Sequence, residues 1–304
     1  LHVPSGATLD LGAGVVLKPI GGLAIYVDGA LFARGAPSAP IVFTSFYDDS
    51  AAGDTNGDGN ATSPAPFQWP GLRLRAGSSA STLEHVSLRY TGGAFWSAVT
   101  LESSSPTLTS CELRDAGYGG LALDAASFPR VERCRFERID GYPAAFGATF
   151  AAVPGFLDCT AGTCSGGAYL RVEQATVSTA VAIGSRNQIG GALVAMTNLM
   201  VAPTGSLALG AGVVLKFASS AAIQVDGELR ALGPVILTSF YDDLYGGDTN
   251  GDGNATAAAP MQWAGMRILS TARGALDGAL IRCTGAAFWS ALELSSPSFA
   301  LHRT

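Results

Sequence analysis

The chain has 304 residues, 48% of them hydrophobic and only 14% charged, which excludes a disordered polymer. A net charge of −6 without any basic stripe argues against a nucleic-acid partner. No run reaches the roughly 18 apolar residues that a membrane-spanning helix needs.

The pattern begins at once. Leu9-Asp-Leu11 alternates apolar and polar residues, and Gly12-Ala-Gly14 turns the chain into Val15-Val-Leu-Lys18. Similar short runs follow at Ile25/Val27 and Ile41/Phe43, about 16 residues apart, a spacing that predicts smaller coils near the start. Next comes Thr44-Ser-Phe-Tyr-Asp-Asp49 and the acidic run Asp54-Thr-Asn56-Gly-Asp58-Gly59-Asn60. Farther on, Pro106-Thr-Leu108-Thr-Ser-Cys111-Glu-Leu113 lines up with Pro129-Arg-Val131-Glu-Arg-Cys134-Arg-Phe136, 23 residues later. Val99/Leu101 line up with Leu121/Leu123 in the same way, 22 residues later. Residues 139 to about 185 are the hardest to assign.

A second copy then repeats the first. Leu207 to Lys216 matches Leu9 to Lys18, and Thr238 to Asp243 matches Thr44 to Asp49. Gly247 to Thr256 is identical to Gly53 to Thr62, and Ala287 to Ala291 to Ala94 to Ala98. The offset drifts from 198 to 193, with the slips in loops, where a coiled scaffold tolerates them. This predicts a module over 1–185 with a calcium loop at 46–66. A truncated copy over 186–304 carries a loop at 240–260, and the two are expected to form one continuous solenoid.

A 22–23 residue period with two or three short strands predicts an all-β fold. Each period is one coil of a parallel β-helix (β-solenoid), stacked on the last at about 4.8 Å. Parallel crossovers are right-handed by default, so the expectation is a right-handed parallel β-helix with protruding calcium-binding loops. Residues one coil apart should stack, which makes Cys111 and Cys134 neighbours, either in a buried column of small side chains or bridged. Cys159 and Cys164 share a Gly/Thr-rich loop and are a possible disulfide, which leaves Cys283 over. The start at Leu1 without methionine, inside the pattern, reads as a mature or excised piece of something longer.

The acidic run carries the strongest chemical signal. Oxygen donors at positions 1, 3 and 5 with glycine at 6 form the first half of an EF-hand calcium loop. Position 12, the place of the bidentate glutamate, is Ala65 in one copy and Ala259 in the other. The loop alone supplies about four of the six to eight oxygens that calcium takes, so paired aspartates just upstream are expected to complete it. The candidate ligands are Asp48, Asp49, Asp54, Asn56, Asp58 and Asn60, then Asp242, Asp243, Asp248, Asn250, Asp252 and Asn254. About one Ca2+ per module is expected, in a structural role. The alternative is a solvated acidic turn punctuated by Asn-Gly and Asp-Gly.

The run Leu9 to Lys18, with Val27-Asp-Gly29-Ala-Leu31, Pro40 to Ser45 and Ser105 to Cys111, resembles bacterial right-handed parallel β-helix repeat proteins of the pectate-lyase-like superfamily. The Asp-Thr-Asn-Gly-Asp-Gly insertion is similar to the calcium loops of dockerins and thrombospondin type 3 repeats. The resemblance implies a secreted or cell-surface protein. Many such relatives are adhesive or structural arrays, and some are polysaccharide lyases or hydrolases.

A lyase needs an arginine or lysine base beside calcium-bound acids. Arg73/Arg267 and Arg89/Arg282 recur in both copies, but nothing in the sequence links them to the acidic loop. An inverting hydrolase needs paired carboxylates on adjacent coils, and Glu102 and Asp124 stand one coil apart by alignment, which is no more than suggestive. Trp96 and Trp289 could stack on carbohydrate, whereas Trp69 and Trp263 are expected to pack the calcium loop against the solenoid. The sequence therefore favours a non-enzymatic, calcium-rigidified extracellular or cell-surface protein. Its expected partners are surface glycans or other copies of itself through coil ends. A secreted polysaccharide-active enzyme is the alternative.

Overall fold

The structure, a computed structural model, describes residues 1–20, 22–146, 149–150, 155–173, 175–286 and 290–304. Two compact units divide the chain, Leu1–Ala144 with Pro154–Gly166 and Ala145–Val153 with Gly167–Thr304. Each is a parallel β-solenoid.

In the first unit three parallel sheets enclose the interior. One runs through His2–Val3, Ile25–Val27, Leu72–Leu74, Val99–Leu101 and Gly119–Leu123. The second stacks Thr8–Leu11, Ala30–Arg34, Thr82–Glu84, Thr107–Thr109, Arg130–Glu132 and Gly155–Leu157. The third stacks Val16–Leu17, Ile41–Phe43, Val86–Arg89, Glu112–Ala116, Arg135–Ile139 and Thr160–Ala161. The coil alignment read from the sequence holds residue by residue, with Val99 facing Leu121, Leu108 facing Val131 and Leu113 facing Phe136. Every second side chain points inward, so Leu72, Leu74, Val99, Leu108, Leu121 and Val131 are fully buried in apolar columns.

The smaller coils expected near the start do not exist. Leu9, Ile25 and Ile41 lie on three different sheets, and Leu9 stacks on Leu31 instead. The 16-residue spacing spans two of the three sides of a coil, which periodicity alone does not distinguish from a full turn.

Between the second and third sheets the last four coils of this unit each bend at one non-glycine residue in the left-handed region: His85 (φ 48), Ser110 (φ 53), Arg133 (φ 51) and Asp158 (φ 53). Such a conformation costs roughly 1–2 kcal/mol. The bend is offset because the ladder continues through it, with Ser110 N donating to Glu132 O at 2.9 Å and Arg133 N to Leu157 O at 2.9 Å.

Directly after three of these corners stand Cys111, Cys134 and Cys159, all buried. Each thiol donates to a carbonyl of the preceding coil: Cys111 to Leu83 O at 3.3 Å, Cys134 to Leu108 O at 3.6 Å and Cys159 to Val131 O at 3.5 Å. All five cysteines are free thiols, so the possible Cys159–Cys164 bridge is not formed. Cys159 is instead the third member of the interior column, while Cys164 lies beside the Ile139 bridge. Hydrogen bonding along the column and burial raise the Cys134 and Cys159 pKa values strongly, and burial pushes Cys164 up to about 11. Such thiols are inert. In the native protein a thiol reagent such as DTNB is therefore expected to label Cys283 first and the other four cysteines only on unfolding.

The second unit repeats the design. Its sheets contain Leu170–Val172, Leu193–Ala195, Val214–Phe217, Val235–Ser239 and Ala279–Ile281; Ala175–Val177, Leu199–Val201, Ala222–Val225, Gly265–Ile268 and Leu292–Leu294; and Ala180–Ile183, Ser206–Gly210, Glu228–Leu232, Arg273–Asp277 and Phe299–His302. Among the described residues no helix is long and apolar enough to cross a membrane.

Candidate metal centre

Each acidic loop leaves the solenoid after a strand, Ile41–Phe43 in the first copy and Val235–Ser239 in the second. The loop curls around its first aspartate. Asp54 Oδ1 accepts the amides of Gly57 at 2.7 Å and Asp58 at 3.2 Å, and Oδ2 accepts that of Gly59 at 2.8 Å. These bonds, the one from Gly59 first, hold the Asp54 carboxyl below the usual carboxylate range. Gly57 and Gly59 both take positive φ (73° and 74°), which the tight curl requires.

The curl brings Asp49, Asp54 and Asp58 together, with one carboxylate oxygen of each within 4.8 Å of the others. Asn56 turns its Nδ2 to Asp58 Oδ2 and Thr62 Oγ1, both at 2.9 Å. That leaves Asn56 Oδ1 buried without a hydrogen-bond donor, as is Asp49 Oδ1. Buried acceptors without donors are uncommon and cost free energy.

The second copy reproduces this arrangement atom for atom. Asp243, Asp248 and Asp252 cluster within the same 4.8 Å, and Asp243 Oδ1 and Asn250 Oδ1 are the donorless oxygens. Burial, and then the charges of Asp248 and Asp252, push the Asp243 pKa up. The centre is an oxygen-rich pocket with more negative charge than its surroundings balance, which is the donor set of a hard divalent cation. Asn60 and Asn254 are exposed.

Only one aspartate of each upstream pair joins the cluster. Asp48 turns the other way, fully buried. It accepts the hydroxyls of Thr44 and Ser50, each at 2.5 Å, and its Oδ2 lies 3.5 Å from Arg89 Nη1. Burial alone would raise its pKa; the two hydroxyls and Arg89 outweigh that and hold it low. Asp242 is buried in the same way, with Thr238 Oγ1 at 2.5 Å and Arg282 Nη1 at 3.4 Å. Asp48 and Asp242 thus brace the root of each loop.

A second brace is lysine. Lys18 Nζ donates to Gly53 O at 2.8 Å and Thr55 Oγ1 at 2.9 Å, the residues on either side of Asp54. Lys216 Nζ does the same at Gly247 O (2.6 Å) and Thr249 Oγ1 (2.8 Å). Burial lowers the Lys216 pKa to about 8, against the opposing charges of Asp243, Asp242 and Asp248. Sequence reasoning missed this role, although the signal was present: these are the chain's only two lysines, at equivalent positions.

A scan against protein-family models found no match to this chain, and searches of curated proteins and of solved structures found none either. The functional reading therefore rests on the fold and on the site itself.

The other candidate residues are engaged elsewhere. Arg73 pairs with Glu102, and Arg75 lies 3.6 Å from the same carboxylate. Arg267 pairs with Glu293 at 2.8 Å. Asp124 caps a turn, accepting Ser103 N at 2.8 Å and Ser127 Oγ at 2.7 Å. One face of the Trp96 ring is covered by the Arg73 guanidinium, 4.0 Å from its centroid, and Tyr26 meets its edge at 6.2 Å. Trp289 lies outside the described residues. Trp69 and Trp263 are fully buried, their Nε1 groups donating to Arg89 O at 2.8 Å and Arg282 O at 2.6 Å. Each tryptophan thus locks the chain to the adjoining coil where it re-enters the solenoid.

Proposed function

We propose that this protein is a non-enzymatic β-solenoid scaffold of the extracellular space or cell surface, rigidified by one calcium ion in each acidic loop. The observation that carries the reading is the pair of donorless buried oxygens beside three clustered carboxylates, Asp49 and Asn56 in one copy and Asp243 and Asn250 in the other. A calcium ion among Asp49, Asp54, Asn56 and Asp58 would give those oxygens the partner they lack, with water or carbonyls completing its shell. Magnesium suits the site less, because it demands near-ideal octahedral geometry and keeps most of its waters.

An extracellular setting fits, since calcium modules there work at roughly 10⁻⁴–10⁻³ M, affinities that a loop without the bidentate glutamate can reach. The non-enzymatic part rests on the arginines: Arg73 and Arg267 are paired with glutamates, and Arg89 and Arg282 with buried aspartates. None is left poised as a base. Adhesion through surface glycans, or through other copies at coil ends, is the working role we assign to the scaffold.

Equilibrium dialysis against ⁴⁵Ca²⁺ should find two ions per chain, with Mg²⁺ competing weakly. Incubation with pectin, alginate and other acidic glycans should release neither unsaturated nor reducing ends. Turnover lost on Arg73→Ala or Arg89→Ala would replace this reading with that of a polysaccharide-active enzyme.

A further inference from the structure

The loops are identical from Gly53 to Thr62 and from Gly247 to Thr256, yet the walls beneath them differ. Thr249 is fully buried and donates to Phe240 O at 2.7 Å. Thr55 is exposed, and its bond to Phe46 O is 3.3 Å. Lys216 is fully buried, whereas Lys18 is only partly so. Phe240 meets Tyr169 edge-on at 5.7 Å, and a Cβ on Gly167 would stand 1.8 Å from Thr249 O, so the loop backbone lies against that glycine.

Two substitutions account for much of the difference. Gly246 stands where the first copy has Ala52, and a Cβ there would come within 2.8 Å of Ala192 Cβ and 3.2 Å of Gly191 O. Glycine lets the second loop settle; Ala52 is exposed. Leu244 replaces Ser50, the residue whose hydroxyl satisfies Asp48 Oδ1. Asp242 Oδ1 is accordingly buried without a donor, in a side chain that is fully buried. The second loop is thus held more closely against its wall, and a preorganised loop binds calcium more tightly.

We propose that the two loops are unequal calcium sites, with the Asp248 loop preorganised by its wall and filled first, so that the chain loads in two steps. This rests on the calcium reading given above.

Isothermal titration of Ca²⁺ into the EDTA-stripped, dialysed chain should resolve two events at least about tenfold apart in Kd, equivalent to ~1.4 kcal/mol. Asp252→Ala should delete the tighter event and Asp58→Ala the weaker. Gly246→Ala should bring the tighter event close to the weaker and leave the weaker unchanged. Equal affinities, or a tighter event that vanishes with Asp58→Ala, would overturn the proposal while leaving calcium binding intact. No heat and no bound ion at either loop would overturn the calcium reading with it.

Discussion

Removing calcium with EDTA should lower the thermal midpoint of each unit by roughly 5–10 °C. A ligand at about 100 times its Kd stabilises the native state by ~2.7 kcal/mol per site. In a domain of roughly 150 residues, 1 kcal/mol moves the midpoint by about 2–4 °C. Each unit holds one acidic cluster, so each should respond separately. The physical source is repulsion: with no cation, three carboxylates face one another inside 4.8 Å, and the Asp49 and Asp243 oxygens lack donors. Asp54→Ala with Asp58→Ala should abolish the response of the first unit and leave that of the second. Differential scanning calorimetry with and without EDTA provides the measurement, and an unchanged thermogram would end the calcium reading.

The fold was legible because a solenoid writes its register into the sequence. Val99/Leu121 and Leu108/Val131 align in the sequence as they do in space, since each coil must repeat the inward side chains of the one below. What the sequence hid was which side of a coil a strand occupies. Leu9, Ile25 and Ile41 have similar alternating patterns on three different sheets, and in the later coils the corner between the second and third sheets carries no glycine to mark it. His85, Ser110 and Arg133 adopt left-handed backbone where a reader looks for glycine.

The site was half legible. Spacing placed Asp54, Asn56 and Asp58 around one point, because alternate side chains of a tight curl converge. Spacing could not divide Asp48 from Asp49: in the turn that follows the strand, adjacent side chains diverge, and here Asp49 joins the acidic cluster while Asp48 faces Arg89. Nor could it show that the ammonium of Lys18, thirty-five positions before Gly53, reaches the loop. That contact depends on one coil stacking under the next, which a linear motif does not encode.

Trp263→Ala should be the most destabilising single change in the second unit, by about 3–5 kcal/mol. The indole is fully buried and stacks on Phe217 at 4.4 Å with an interplanar angle of 15°. Its Nε1 also satisfies Arg282 O, which truncation would leave without that donor. The equivalent change in the first unit, Trp69→Ala, should cost less. Trp69 is equally buried and makes the same hydrogen bond to Arg89 O. The residue equivalent to Phe217 is Pro19, however, so there is no corresponding ring to stack on. An offset aromatic pair contributes about 0.5–1.5 kcal/mol beyond area burial, and that is the expected difference between the two variants. Urea unfolding of both, read by circular dichroism and by the fluorescence of the remaining tryptophans, should show the larger loss for Trp263→Ala. Losses that are equal, or larger for Trp69→Ala, would mean that the Phe217 stack adds nothing, and that each tryptophan acts only by filling volume where its loop rejoins the solenoid.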